Sequence, residues 1–233
     1  MFRKSIKALC FLLLSVTVLL TCGCAGGSEP APDEPLEKPL LANKQHPLGE
    51  NYAPEKLSAI PTDLTLYGKE IGMEGEAAMA AVKMLRALHE AGYTDVMITS
   101  GYRTYAYQQS LFNTYLSQEQ AKHPDWSRER CEQEVLTYSA RPGTSEHQTG
   151  LCMDLISTKN VVLDESFADN PVYAYLQENA HLFGFILRYP EGKESVTGYT
   201  YEPWHYRYVG VAVAEKMHAE GSSVTLEEYL AGA

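Results

Sequence analysis

Two stretches far apart in the chain carry donor groups that gain a purpose only if the fold brings them together. One is Ser145-Glu146-His147-Gln148-Thr149-Gly150-Leu151-Cys152-Met153-Asp154, and the other is Glu202-Pro203-Trp204-His205. His147, Asp154 and His205 offer imidazole and carboxylate lone pairs of the kind that hold zinc. Three protein donors leave one coordination position open, and Glu202, just before the last histidine, can handle a proton; this is the make-up of a catalytic zinc site. Any fold that uses the set must lay the segment around 147–154 beside the segment around 202–205. Alternate residues of a strand share a face, so Cys152 and Asp154 point the same way if they lie on one strand, with His147 curling back from the loop before it. His205 then comes from a neighbouring strand. Glu202 and His205 would fall on opposite faces of a regular strand. Pro203 argues instead for irregular backbone, a bulge or an edge, that turns both into one cleft. Cys152 is not expected among the ligands, because a fourth donor would close the position that catalysis needs. His46, His89, His123, His181 and His218 lack such company and read as structural or surface residues.

The first 24 residues read as a leader rather than as part of the fold. Arg3, Lys4 and Lys7 precede an almost unbroken apolar run from Ala8 to Leu20, too short to span a bilayer comfortably and suited to a signal peptide. Thr21-Cys22-Gly23-Cys24 follows, and a cysteine after a small residue resembles a bacterial lipobox. Gly23 before Cys24 fits that pattern better than Thr21 before Cys22, so lipidation is expected at Cys24; an ordinary secretory signal is the alternative. Residues 25–40 are rich in Pro, Glu, Gly and Ser and cannot build a core, so they read as a spacer ahead of a domain at 41–233. The net charge of −11, which becomes more acidic once the leader is removed, argues against nucleic acid or an anionic bilayer surface as partner. Membrane association is expected through the lipid alone. Outside the leader only Cys131 and Cys152 remain, too few for a disulfide framework and best read as small buried hydrophobes.

Along the domain, apolar spacing predicts helices over 73–91, 105–120, 128–138, 171–180, 211–219 and 226–230. Short strands are predicted over 95–100, 150–156, 185–189 and 201–209, the last containing both Glu202 and His205. Mixed helices with several late strands predict an α+β domain with a small, largely antiparallel sheet flanked by helices.

The motif Ser145-x-His147-x-x-Gly150-x-x-x-Asp154 with Glu202-x-x-His205 resembles the VanY-like zinc D-alanyl-D-alanine carboxypeptidases, among the LAS-type metallopeptidases with the hedgehog/DD-peptidase fold. The likeness extends to Asn43-Lys44-Gln45-His46-Pro47-Leu48, to Ser100-Gly101-Tyr102-Arg103-Thr104 with Gln108, Leu111 and Phe112, and to Phe183-Gly184-Phe185-Ile186-Leu187-Arg188-Tyr189-Pro190. Cys152 departs from it, since a small Ala is usual there. The resemblance implies one zinc ion held by His147, Asp154 and His205, with Glu202 as catalytic carboxylate. It also implies Arg103 on the polarised carbonyl or the substrate carboxylate, and Gln108 and Ser145 in contact with substrate. The implied substrate is a peptidoglycan stem peptide ending in D-Ala, cleaved outside the cytoplasm by a lipoprotein expected to be a monomer. An L,D-carboxypeptidase acting on tetrapeptide stems uses the same machinery. A non-catalytic zinc-containing wall-binding module is the reading from another class, and the presence of Glu202 speaks against it. Trp204 and the many tyrosines are expected in the core, without a role.

Overall fold

The computed structural model describes residues 38–232. The expected leader, the lipidation site at Cys24 and nearly all of the spacer lie outside the described residues. Among the described residues no helix is long and apolar enough to cross a membrane.

The described chain opens with a two-stranded antiparallel hairpin, β1 (Leu57–Ala59) and β2 (Gly72–Glu74), and runs directly into helix α1 (Gly75–Glu90). The Glu74 carboxylate caps that helix by accepting from the backbone N–H groups of Glu76 and Ala77 at 2.9 and 3.3 Å. This satisfies donors that the first turn would otherwise leave unpaired. Strand β3 (Val96–Ser100), helix α2 (Tyr105–Lys122), helix α3 (Arg128–Tyr138) and strand β4 (Cys152–Ser157) follow. Then come helix α4 (Pro171–Asn179), strand β5 (Phe185–Leu187), the single turn α5 (Glu194–Thr197), strand β6 (His205–Tyr208), and helices α6 (Val211–Glu220) and α7 (Leu226–Gly232). Strands β3 to β6 form one antiparallel sheet in the order β3-β4-β6-β5. The expected α+β class with a small antiparallel sheet flanked by helices is what the chain adopts.

The two faces of that sheet have different chemistry, and strand periodicity explains why. Met153 and Leu155 of β4, Tyr206 of β6 and Phe185 and Leu187 of β5 join one apolar core with Ala77, Ala81, Met84, Leu85 and Leu88 of α1 and Val172 and Leu176 of α4. Leu85 and Leu88 are wholly buried there, and burying a side chain of that size stabilises the fold by roughly 1.5–3 kcal/mol. The intervening residues, Cys152, Asp154, His205 and Arg207, belong to the opposite face. Helices α2 and α3 pack on each other through Phe112, Leu116, Cys131 and Val135 as a separate cluster.

Most element bounds shift by a few residues from the sequence reading, and two departures are larger: the start of the last strand and an unpredicted hairpin. The fourth predicted strand does not cover 201–209: β6 starts at His205, and Glu202 to His205 form a tight turn in which the His205 N–H donates to the Glu202 carbonyl at 3.1 Å. Proline favours the second place of such a turn, which is where Pro203 sits. The β1–β2 hairpin escaped prediction because three-residue strands are too short to show an alternation.

Candidate active site

The register of the sheet brings the donors together. Asp154 of β4 and His205 of β6 are direct cross-strand partners, so their side chains leave the sheet side by side on its polar face. Asp154 Oδ1 lies 3.1 Å from His205 Nδ1. On its other side Asp154 pairs with Ser100, where β3 and β4 slip register. Past that irregularity the chain turns at Gly101 and leads to Arg103. Gly101 has no room for a side chain, since a Cβ would meet the Gly72 carbonyl oxygen at 2.6 Å.

His147 arrives on a 3-10 turn, Glu146–Thr149, that ends at Gly150 in the left-handed region (φ 71°). Two bonds tie this turn to the end of β3. The Arg103 N–H donates to the His147 carbonyl at 3.0 Å, and His147 Nδ1 donates to the Gly101 carbonyl at 2.7 Å. A carbonyl only accepts, so Nδ1 carries a proton and Nε2 is left to offer its lone pair. That atom lies 3.3 Å from Asp154 Oδ2. Glu202 completes the group, with Oε2 3.5 Å from His205 Nδ1. Its turn is fixed by donation from its own N–H to the Tyr189 carbonyl at 3.1 Å and from the Leu155 N–H to the Trp204 carbonyl at 3.0 Å.

These residues fit a metal. The donor atoms of His147, Cys152 and His205 all lie within 4.8 Å of one another and are buried. Asp154 Oδ1 is buried beside them, facing His205 Nδ1 at 3.1 Å without a well-formed hydrogen bond, and an ion between the two would take both lone pairs. The electrostatics of the metal-free cluster agree. Burial raises the Asp154 carboxyl, but His147, His205 and Arg103 outweigh it and hold the group well below its ordinary range. Burial and the Arg103 charge lower the His147 imidazole, yet Asp154 and Cys152 prevail and leave it at about 9. His205 is likewise lifted well above its usual value against burial by Cys152, Asp154 and Glu146. Burial also pushes the Glu202 carboxyl up to about 7, only partly opposed by His205. A carboxylate with that affinity for protons is suited to exchanging them near neutrality.

A cleft of about 230 Å³ opens over this group. Arg103, Gln108 and Ser145 all line it with the metal-site residues. The Arg103 guanidinium donates to Asp154 Oδ2 at 2.6 Å and to the Ser100 hydroxyl at 2.9 Å. Its acid partner is therefore a buried carboxylate of the site rather than a surface one. Gln108 is buried, with its amide nitrogen donating to the Ala140 carbonyl at 2.8 Å, while its Oε1 faces no partner. Trp204, Tyr115, Tyr138, Tyr189 and Tyr199 also line the cleft; the expectation of core placement holds for Tyr206, and Trp204 packs against the same core while reaching the cleft.

One residue escaped the sequence reading altogether. Glu146 is buried, and its Oε1 accepts from Arg188 Nε and Arg207 Nη1, each at 2.7 Å. Both guanidiniums are wholly buried. The other oxygen, Oε2, faces His205 Nε2 at 3.6 Å. Burial raises this carboxyl, but the two arginines and His205 overcome that and hold it far below its ordinary range. A fixed negative charge therefore backs the ring nitrogen of His205 that faces away from Asp154. A lone Glu inside a loop gives no spacing signal of such a role. Among the described residues the two thiols, Cys131 and Cys152, are free and buried. Cys131 fits the reading as a small hydrophobe, whereas Cys152 belongs to the donor cluster.

Comparison with known proteins places these features in a lineage. Residues 70–211 match the family model described as VanY, D-alanyl-D-alanine carboxypeptidase. A D-alanyl-D-alanine carboxypeptidase of Enterococcus faecalis (strain ATCC 700802 / V583) is 35% identical over 82% of this chain, and the chain spans 65% of the length of that relative. Among solved structures, the LdcB LD-carboxypeptidase is similar at a TM-score of 0.70 and 38% identity, covering 82% of this chain and 84% of that one. VanYB in complex with D-alanine-D-alanine is similar at a TM-score of 0.66 and 33% identity, covering 82% and 96% respectively.

Proposed function

The chain belongs to the VanY family of D-alanyl-D-alanine carboxypeptidases, and we propose that it is a zinc-dependent enzyme removing the C-terminal D-Ala from peptidoglycan stem peptides. The observation that carries this reading is the convergence of His147, Asp154 and His205 with Glu202 at the floor of an open cleft. A related VanY was solved in complex with Zn(II), which supports zinc as the ion. His147, Asp154 and His205 would hold it here.

Bound zinc supplies Lewis acidity toward a carbonyl and lowers the pKa of water toward ~7. The chain's own groups do the rest. Glu202 takes a proton from the attacking water and delivers it to the amine of the departing D-Ala. Arg103, part-exposed at the cleft, donates to the oxygen on which negative charge develops. Gln108 Oε1 is a free acceptor and suits a substrate N–H, while the Ser145 hydroxyl suits the terminal carboxylate. The aromatic walls exclude water and hold the peptide.

The leader and spacer support export and lipid anchoring at Cys24, so that a monomeric domain works on the outer face of a bacterial membrane. A second reading has a specific observation behind it: the similarity to the LdcB LD-carboxypeptidase supports cleavage of tetrapeptide stems after an L-centre. Mass spectrometry of purified pentapeptide and tetrapeptide stems, incubated with and without a chelator, separates the two. Loss of one D-Ala from the pentapeptide supports the D,D reading and loss from the tetrapeptide alone the L,D reading. Intact peptides with metal-loaded protein would overturn both.

A further inference from the structure

We propose that Cys152 is a metal ligand in this chain, competing with Asp154 for the third protein position beside His147 and His205. The inference deepens the metal-centre reading above and rests on it.

The argument starts from strand geometry. Cys152 and Asp154 are alternate residues of β4, so both project from the polar face of the sheet. Cys152 Sγ forms the mutually close donor group with the two histidines, all within 4.8 Å and all buried. The thiol is wholly inaccessible and makes no disulfide. Asp154, by contrast, has a second partner. Arg103 donates to its Oδ2 at 2.6 Å, so a carboxylate that leaves the ion keeps a compensating charge. Donor chemistry permits the exchange, because thiolate is a soft ligand that zinc binds alongside imidazole. With both Cys152 and Asp154 on one ion, four protein donors would fill the tetrahedron and leave no place for solvent. Turnover therefore needs one of the two to stand off. This reconciles the cluster with the expectation that Cys152 is no simple fourth ligand. It also gives the site a preference for soft cations, zinc and cadmium over manganese or magnesium.

The test uses cobalt(II), whose spectrum reports its donors without any assay of activity. Metal-free full-length protein is titrated anaerobically with cobalt(II). The expected result is visible ligand-field bands together with an intense near-ultraviolet sulfur-to-cobalt charge-transfer band, both saturating at one ion per chain. The charge-transfer band should be lost in Cys152→Ala while the ligand-field bands remain. It should survive in Cys131→Ala and in a chain with Cys22 and Cys24 both replaced by Ala. Ligand-field bands without charge transfer in the wild type would overturn thiolate ligation and leave the His147, Asp154 and His205 centre standing. Absence of any cobalt spectrum would overturn the metal centre and the thiolate together. A charge-transfer band that persists in Cys152→Ala would assign the sulfur elsewhere and also overturn the proposal.

Discussion

At the scale of single residues, the site works because each donor has one face committed to the protein and one left free. His147 spends Nδ1 on the Gly101 carbonyl, and His205 turns Nε2 toward the buried Glu146. Outer contacts of this kind typically change metal affinity by about 10- to 100-fold. Glu146→Gln removes the charge behind His205, and its zinc affinity, measured by competition with a chromogenic chelator, should fall within that range. An unchanged affinity would leave Glu146 a purely structural counter-ion. Glu202→Gln should keep its zinc while turnover drops by about 10²-fold or more, read by metal analysis and stem-peptide hydrolysis on the same sample. The metal-free imidazoles hold protons up to about pH 9 at His147 and must lose them to bind an ion. Zinc uptake should therefore release protons below that pH, with apparent affinity climbing as pH rises toward it. Calorimetry in buffers of different ionisation heat reads the release. The candidate ligands were legible in the sequence because a motif fixes their spacing. Glu146 was not, since its importance comes from Arg188 and Arg207, which only the fold brings to it.

At the scale of elements, the site depends on where strands and helices begin. β6 begins at His205 because the Glu202–His205 turn ends there, and this puts Glu202 and His205 on the same side despite their spacing. The sequence reading anticipated irregular backbone at Pro203 but extended the strand through it, since the apolar pattern continues past the true boundary. The long helices were readable from their apolar spacing, and the structure adds the cap of α2, where the Thr104 hydroxyl accepts from the Tyr107 N–H at 3.1 Å. Helix α2 carries Gln108 into the cleft yet packs with α3 in a cluster of its own. Thr104→Ala should therefore cost about 1 kcal/mol in urea-induced unfolding and leave zinc content unaltered. A change in bound zinc would mean that α2 helps to shape the metal pocket as well as the cleft wall.

At the scale of the whole domain, the ion network behind His205 reaches both ends of the described chain. Arg188 forks onto Glu227 of α7 at 2.8 and 2.6 Å. Glu227 accepts from Asn43 at 3.0 Å, and Arg207 donates to the Leu40 carbonyl at 2.6 Å. Paired guanidinium and carboxylate of this kind are costly to separate once buried. Glu227→Ala strands a wholly buried Arg188 beside its remaining partner and should lower stability by about 3 kcal/mol, read as a fall in the denaturant midpoint at constant slope. A loss below about 1 kcal/mol would mean that solvent reaches Arg188 after the change. The same wiring has a temporal meaning. A polypeptide emerging from its N-terminus lays down every donor of the pocket before Glu227, the second acidic partner of Arg188, has been made. Until α7 docks, Glu146 alone faces the two guanidiniums of Arg188 and Arg207, and the scaffold behind His205 carries unbalanced positive charge.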